Sequence, residues 1–342
     1  MTQPDVTGQI QAEMRAAFPA YEARVADFYA MQEYHLGWRD ERLQPASGDP
    51  GKLLRPQLVL LACSAAGGDP RQALPVAAGV QLLHDFTLIH DDIEDNSDTR
   101  RGRRTVWSIW GLAQGINVGD GMFVIAHLAM YRMSELGVPA ERILAVLQRF
   151  DETIMRVCEG QYLDLSFEGR LDISSSDYLA MIGRKTAALI DGAAAFGALV
   201  AGAPPAVVED LAAFGRSLGL AFQIEDDILG IWGDLERTGK PRAADLYRRK
   251  VSLPIVYALE HAAERAALAA IYTAGDPTDA DVDRCLAILN SVDARSYCAG
   301  VATEHHTAAL AALDRIPAAT AEAAAALAHL RRMAESLLGR QN

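Results

Sequence analysis

Cysteine is scarce in this chain. Cys63, Cys158, Cys285 and Cys298 form no CxxC pair, and no Cys/His set has zinc-ligand spacing. That excludes a disulfide-stapled scaffold and a zinc site, and predicts a reduced, intracellular protein with buried thiols. A basic surplus is also missing: 32 Lys and Arg stand against 45 Asp and Glu, a net charge of −13. Nucleic acid is therefore excluded as a partner, because binding its phosphates needs a broad basic surface. The acidity itself reads as a solvated surface, so any anionic substrate must be held by local cations. Long apolar runs are lacking. The longest uncharged stretch, Gly192 to Val208, is rich in small residues and runs into Pro204-Pro205, which predicts a buried helix and its exit rather than a membrane span. The first 20 residues carry Asp5, Glu13 and Arg15 and have no apolar signal core, so a cytoplasmic location is expected. Alternating Val/Ile/Thr patterns are nearly absent, which argues against sheet.

What remains is helix. Leu58-Val59-Leu60-Leu61, then Val76, Val80, Leu83, Thr87 and Leu88, recur at intervals of three and four. Alanine crowds Ala308 to Ala334 and favours helix directly. The pattern predicts an all-α protein of about ten or more helices. Breaks fall at Pro45 to Gly51, Gly67-Gly68-Asp69-Pro70, Ala203-Pro204-Pro205 and Gly275-Asp276-Pro277. A serine run before Asp177 can cap a helix starting near that residue. No repeat or long flexible linker is visible, so residues 1–342 read as a single domain with residues 1–8 loose. His305 and His306 have no acidic or cysteine partner one turn on and read as structural or surface residues.

Two aspartate clusters interrupt the apolar helices. In His84-Asp85-Phe86-Thr87-Leu88-Ile89-His90-Asp91-Asp92-Ile93-Glu94-Asp95, Asp91 and Asp95 are i and i+4, on one helical face. Like charges so placed repel unless a cation lies between them, and an all-oxygen set suits Mg²⁺. A solvated acidic helix face would give the same pattern. The second cluster weighs against that alternative. Asp226-Asp227 is flanked by Leu218, Leu220, Ile224, Ile228 and Leu229, where carboxylates are costly without a cation. Cations follow each cluster: Arg100-Arg101-Gly102-Arg103-Arg104 after the first, Lys240 and Lys250 after the second. Lys52 and Arg55 stand three apart, a spacing at which one helix turn would let a single anion meet both. Mg²⁺ with Arg and Lys around a phosphate stabilises charge on a departing phosphate group.

These blocks, in order GKLLRP, HDFTLIHDDIED, DTRRGRRT, GQYLDL, GRKTAAL, FQIEDD and TGKP followed by Lys250, resemble the trans-isoprenyl diphosphate synthases, or polyprenyl synthetases, from about Gly51 to Pro254. The resemblance implies an isoprenoid synthase-type helical bundle around a deep central cavity, and a homodimer. It implies condensation of isopentenyl diphosphate head-to-tail with an allylic diphosphate, with up to three Mg²⁺ per site. Carried over by motif, Asp91, Asp92, Asp95, Asp226 and Asp227 would bind the metal. Arg100, Lys185, Lys240 and Lys250 would contact the allylic diphosphate, and Lys52, Arg55, His84 and Arg101 would hold isopentenyl diphosphate. Thr186 and Gln223 would flank the reacting carbons, with Gln161 and Asp164 behind them. Without the resemblance, His84 would read as a core histidine and Lys185 and Gln223 as helix-surface residues.

The chain departs from the family pattern once. Many members carry a third aspartate at the position of Gly230; here a water, or Asp234, which lies eight residues and about 12 Å after Asp226 along an ideal helix, would have to serve. Phe86 and Thr87, about 6–7.5 Å deeper along the helix than Asp91, are the expected determinants of chain length. A single aromatic there, by the resemblance, favours a C20 product over C15, unless Leu83, Met122 or Phe123 sets the floor. A class I terpene cyclase and a non-catalytic subunit of a heteromeric synthase are the competing readings. Lys52, Arg55 and Arg101 argue against the first, and the retained aspartates against the second.

Overall fold

A computed structural model describes residues 6–49, 51–233 and 243–338. Within these, helices dominate, and the one named sheet is a two-stranded ribbon pairing Thr99–Arg100 with Arg103–Arg104. The all-α expectation is borne out. Of the stretch 1–8 expected to be loose, residues 1–5 lie outside the described residues, and residues 6–8 form the start of helix α1 (Val6–Ala16). Among the described residues no helix is long and apolar enough to cross a membrane.

The chain divides into two compact units, 1–147 with 196–202, and 148–195 with 203–342. In the first unit, α2 (Ala26–His35) is followed by α3 (Leu54–Ala65) and α4 (Leu74–Glu94). Helix α4 buries Val76, Val80, Leu82, Leu83 and Ile89 around most of its circumference, as a helix inside a core must. Between α4 and α5 (Val106–Trp110) the ribbon turns through Arg101 and Gly102, at φ 51° and 72°. Two consecutive left-handed residues give a tight two-residue turn whose twist matches its strands. Arg101, a non-glycine residue, takes one of those positions. Tyr34 on α2 ties the ribbon down: its hydroxyl donates to the Arg104 carbonyl at 2.7 Å, and the Arg103 guanidinium lies 4.1 Å from its ring centroid. Helix α6 (Leu112–Tyr131) packs along α4.

The second unit holds most of α7 (Ala140–Phe167), then α8 (Ser175–Ile182), α9 (Ala188–Ala201) and α10 (Pro205–Trp232). The serine run caps α8 as expected, two residues earlier than the sequence suggested. Ser174 is the N-cap and Asp177 closes a capping box with it. Between α8 and α9 the helix loosens to a π-helical turn, Gly183–Ala187. Such turns recur at functional sites because they re-aim the side chains they carry; this one carries Lys185 and Thr186. Helix α7 reaches the turn at Gly160, where a Cβ would lie 2.1 Å from the Lys185 backbone nitrogen, so only glycine permits the approach. A long helix, Ala294–Asp314, packs along α10 and includes half-buried His305 and buried His306, as a structural reading of that pair requires.

Candidate functional site

In the first unit, α4 presents the first aspartate cluster at its C-terminal end. Asp91 is half-buried, Asp92 is buried, and Asp95 is exposed at the C-cap, its N–H donating to the Asp91 carbonyl at 2.8 Å. The Arg100 guanidinium donates to Asp92 Oδ1 at 2.7 Å, which fixes the ribbon against the helix end. Burial raises the Asp92 carboxyl above the usual carboxylate range despite Arg100 beside it. That is the behaviour of a carboxylate short of positive charge.

Behind it stands a cationic group. Arg55 is half-buried, its buried Nε has no hydrogen-bond partner among the described residues, and desolvation lowers its pKa to about 10, with Asp85 pulling the other way. His84 is held well below the ordinary histidine value by burial, then by Arg55, Arg101, Arg100 and His35. A half-buried Arg with an orphaned Nε among the described residues thus lies beside a histidine whose protonation is disfavoured by burial and then by neighbouring cations. Lys52 does not join it on a shared helix turn. Helix α3 starts at Leu54, and Leu53 before it takes a left-handed conformation (φ 44°), so Lys52 lies exposed outside the helix. The i, i+3 argument for the pair fails for that reason. Arg101 is exposed at the ribbon turn.

Deeper along α4, half-buried Phe86 meets Phe123 of α6 at 5.2 Å between ring centroids and His90 at 4.8 Å; Phe123 continues to His127 at 4.7 Å. Thr87 turns its hydroxyl to the His84 carbonyl at 2.8 Å. Leu83 and Met122 are buried core.

The second unit is organised around Asp227, whose side chain is fully buried on α10. The Tyr178 hydroxyl donates to Asp227 Oδ2 at 2.5 Å. Gln223 Nε2 donates to Oδ1 at 3.2 Å, and Lys250 Nζ sits 3.3 Å from Oδ1. Burial raises the Asp227 carboxyl, against the opposing pull of Lys250, Tyr178 and Gln223. Asp226, its neighbour in sequence, is exposed. The chain continues from Asp227 to the reactive-looking π turn: Thr186 Oγ1 donates to Gln223 Oε1 at 3.0 Å, and Lys185 pairs with Asp164 of α7. The pairs Thr186/Gln223 and Lys185/Asp164 are thus each in contact. Gln161 is half-buried on α7. Lys240 and Asp234 lie outside the described residues.

Sequence reasoning missed four residues of these networks. Tyr178 carries no charge and looks like any core tyrosine of an amphipathic helix. Asp245, whose Oδ2 lies 3.8 Å from Lys250 Nζ, sits in a stretch without helical period. His35 and Gln81 both turn to Asp85: His35 Nε2 lies 3.6 Å from Oδ1, and Gln81 Nε2 donates to Oδ2 at 3.0 Å. The usable signal was Asp85, a carboxylate in an apolar run that had to find buried partners. The cysteine expectation needs one correction. Cys63, Cys285 and Cys298 are buried, and burial raises the first two to about 12 and about 11, but Cys158 is exposed on α7.

A helical scaffold with two carboxylate clusters, each with cationic side chains beside it, suits a protein that handles anionic, diphosphate-like groups. The comparisons with known proteins give the family. The polyprenyl synthetase profile matches residues 38–289. The chain is 42% identical over 296 residues to the geranylgeranyl diphosphate synthase of Mycobacterium tuberculosis, covering 86% of this chain and 83% of that one. It is 40% identical over 289 residues to the (2E,6E)-farnesyl diphosphate synthase of the same organism, covering 83% and 79%. The solved polyprenyl synthetase from Streptomyces coelicolor superposes with a TM-score of 0.85 at 34% identity, over 98% of this chain and 100% of that one. The chain belongs to the polyprenyl synthetase family and is a prenyltransferase of the isoprenyl diphosphate synthase type.

Proposed function

We propose that residues 1–342 act as a single polyprenyl synthetase domain. It condenses isopentenyl diphosphate head-to-tail with dimethylallyl, geranyl or farnesyl diphosphate to a short-chain all-trans polyprenyl diphosphate, C20 in preference to C15. The observation that carries this reading is Arg55. A half-buried Arg whose Nε has no partner among the described residues, grouped with His84, Arg100 and Arg101, suits a second diphosphate that is held without metal. A cyclase, which takes one diphosphate, has no use for it.

The carboxylates fit Mg²⁺ by their chemistry. Asp91, Asp95 and Asp226 offer accessible oxygen donors, and burial leaves Asp92 and Asp227 short of positive charge. Asp91, Asp92 and Asp95 would hold the ions on the allylic diphosphate, with Asp226 and Asp227 holding the remainder. Bound Mg²⁺ would neutralise charge developing on the departing diphosphate. Arg100, Lys185, Lys240 and Lys250 orient that diphosphate, while Lys52, Arg55, His84 and Arg101 fix the other substrate. The allylic carbon–oxygen bond breaks with its electrons leaving on the diphosphate. The double bond of isopentenyl diphosphate then forms the new carbon–carbon bond, and the departed diphosphate takes the proton that is lost. Thr186 and Gln223, locked to each other, present oxygen dipoles to the allylic cation. Phe86, braced by Phe123, is the proposed floor of the chain channel.

The working form proposed is a cytoplasmic homodimer. Helix α7 supports the association, with Leu144, Met155 and Tyr162 each more than 60% exposed. The test is pyrophosphate release with and without isopentenyl diphosphate, followed by chromatography of the product from each allylic primer. Release that needs both substrates and a C20 product bear the reading out. Release from the allylic substrate alone would make the protein a cyclase, and no release would make it a non-catalytic subunit.

A further inference from the structure

Asp85 is a buried carboxylate that the proposed mechanism does not use. It lies on α4 next to His84 in sequence and is 5% exposed. Its two oxygens face two different elements. Gln81 Nε2, one turn back on the same helix, donates to Oδ2 at 3.0 Å. His35 Nε2, from the last turn of α2, stands 3.6 Å from Oδ1, and its side chain is almost as buried as the carboxylate. That separation is beyond hydrogen-bond distance, so among the described residues Gln81 makes the direct hold and His35 closes the flank. These three residues and Arg55 all belong to the first unit.

Arg55 is the cation on which this carboxylate acts. Asp85 offsets part of the desolvation that lowers the Arg55 value, so the two charges interact. They nevertheless do not touch: among the described residues Arg55 makes no ion pair or hydrogen bond, and its buried Nε is unpartnered. A guanidinium and a carboxylate in a desolvated place readily form a forked pair of charge-assisted hydrogen bonds. That pair is missing here although both partners are at hand. The Gln81 amide accounts for its absence, because it ties the carboxylate to the preceding turn of its own helix.

We propose that Asp85 is a held-off counter-charge: Gln81, with His35 at its flank, keeps the carboxylate near enough to offset the charge of Arg55 but out of contact with it, so that the guanidinium stays open to the diphosphate of isopentenyl diphosphate. Gln81, His35 and Asp85 are then positioning residues, which act through Arg55 and touch neither substrate. The inference rests on the proposed function, in which Arg55 holds that substrate. It explains why a carboxylate is kept beside an anion pocket. A neutral residue would leave a desolvated guanidinium without a counter-charge, and a carboxylate without its restraint would take the substrate's place. If release let Asp85 capture Arg55 in about nine-tenths of the molecules, the apparent constant for the substrate would rise about tenfold, because only the remaining tenth could bind it.

The test is steady-state kinetics with each substrate varied in turn, beside thermal melts, on the parent, Gln81→Leu, Asp85→Asn and the double variant. Gln81→Leu removes the donor. KM for isopentenyl diphosphate should rise about tenfold, while kcat and KM for the allylic partner stay within about threefold. Asp85→Asn removes the competing charge. It should melt below the parent, yet its KM for isopentenyl diphosphate should be at or below the parent value. In the double variant it should cancel the first defect and return KM to within about threefold of the parent, a rescue that additive damage cannot produce. A parent-like Gln81→Leu, a raised KM for isopentenyl diphosphate in Asp85→Asn, or a double variant as poor as Gln81→Leu would each overturn the inference and leave the two-substrate reading intact. A parent that releases pyrophosphate from the allylic substrate alone would overturn both. Should Gln81→Leu fail to fold, Gln81→Met keeps the length without the donor and carries the same expectations, and the direction of the KM change in Asp85→Asn decides by itself between a restrained competitor and a residue the pocket requires.

Discussion

The two aspartate clusters are chemically alike and structurally unlike. The first stands at a helix end: Asp92 is buried against Arg100, while Asp91 and Asp95 are progressively more exposed and their region is held by a ribbon turn. The second is set in mid-fold. Asp227 has no exposed surface and holds Tyr178, Gln223 and Lys250 at once, with only Asp226 reaching solvent. One cluster is built for access and the other for rigidity. A carboxylate that organises its own neighbourhood is part of the structure as well as part of the chemistry, so the same mutation should have different consequences in the two places.

Chelation treats the clusters alike and has the largest expected effect. EDTA should abolish turnover, and excess Mg²⁺ should restore it. Single substitutions then separate them. Asp91→Ala and Asp227→Ala should each lower kcat on the order of 10²-fold or more, as loss of a principal electrostatic stabiliser does. Thermal melts should distinguish the two. Asp227→Ala leaves the buried Tyr178 hydroxyl without its acceptor, which costs about 1–3 kcal/mol, whereas Asp91→Ala should melt close to the parent. Equal losses of stability would remove the contrast between an accessible and a structural cluster, and full activity under chelation would remove the metal role altogether.

The cationic group of the first unit should act on one substrate only. Arg55→Ala is expected to raise KM for isopentenyl diphosphate about tenfold or more while changing KM for the allylic partner about threefold or less. A matched rise in both constants would place Arg55 in a general anion field instead. Phe86→Ala sharpens the comparison further along the same helix. If the Phe86–Phe123 pair is the floor, products should lengthen by at least one five-carbon unit, with the condensation rate within about tenfold of the parent. A folded, active variant with an unchanged product spectrum would assign the floor to buried Leu83 or Met122.

How much of this could be read from the sequence depended on whether the signal was periodic. The apolar spacing of α4 and the Asp91/Asp95 pair were legible because a helix converts sequence spacing into a face. The capping box at Ser174 was legible within two residues for the same local reason. Lys52 was misjudged because a left-handed Leu53 ends the regular geometry that its spacing argument assumed. Tyr178, His35 and Asp245 were missed because each reaches its partner across the fold: Tyr178 and Asp227 are 49 residues apart, and no period connects them. The π turn was likewise invisible. Nothing in Gly183–Ala187 distinguishes it from α-helix, and the constraint comes from Gly160 on another helix. What tertiary contact decides, a single sequence reports only as an oddity, such as a carboxylate among apolar residues.

The smallest expected effect tests whether the cations around His84 are already present in the protein without substrate. His84 is held well below the ordinary value of 6.5 by burial and by Arg55, Arg101, Arg100 and His35. The unfolded chain therefore takes up a proton on this residue near pH 6.5, while the folded chain refuses it until a much lower pH. Below 6.5 the unfolded state binds more protons, so stability falls as the pH falls, by at most about 1.4 kcal/mol per unit for this one group. Asp92 and Asp227, with raised values, act in the opposite sense over the acid range, so the parent's pH curve alone decides nothing. The informative quantity is the difference between the parent and His84→Gln in urea denaturation at pH 7.0 and pH 5.5. Between those values the parent should lose about 1 kcal/mol more than the variant. Parallel losses would mean that His84 titrates normally and that the guanidinium groups do not crowd it, which would undercut the anion pocket on which the choice of a two-substrate condensation rests.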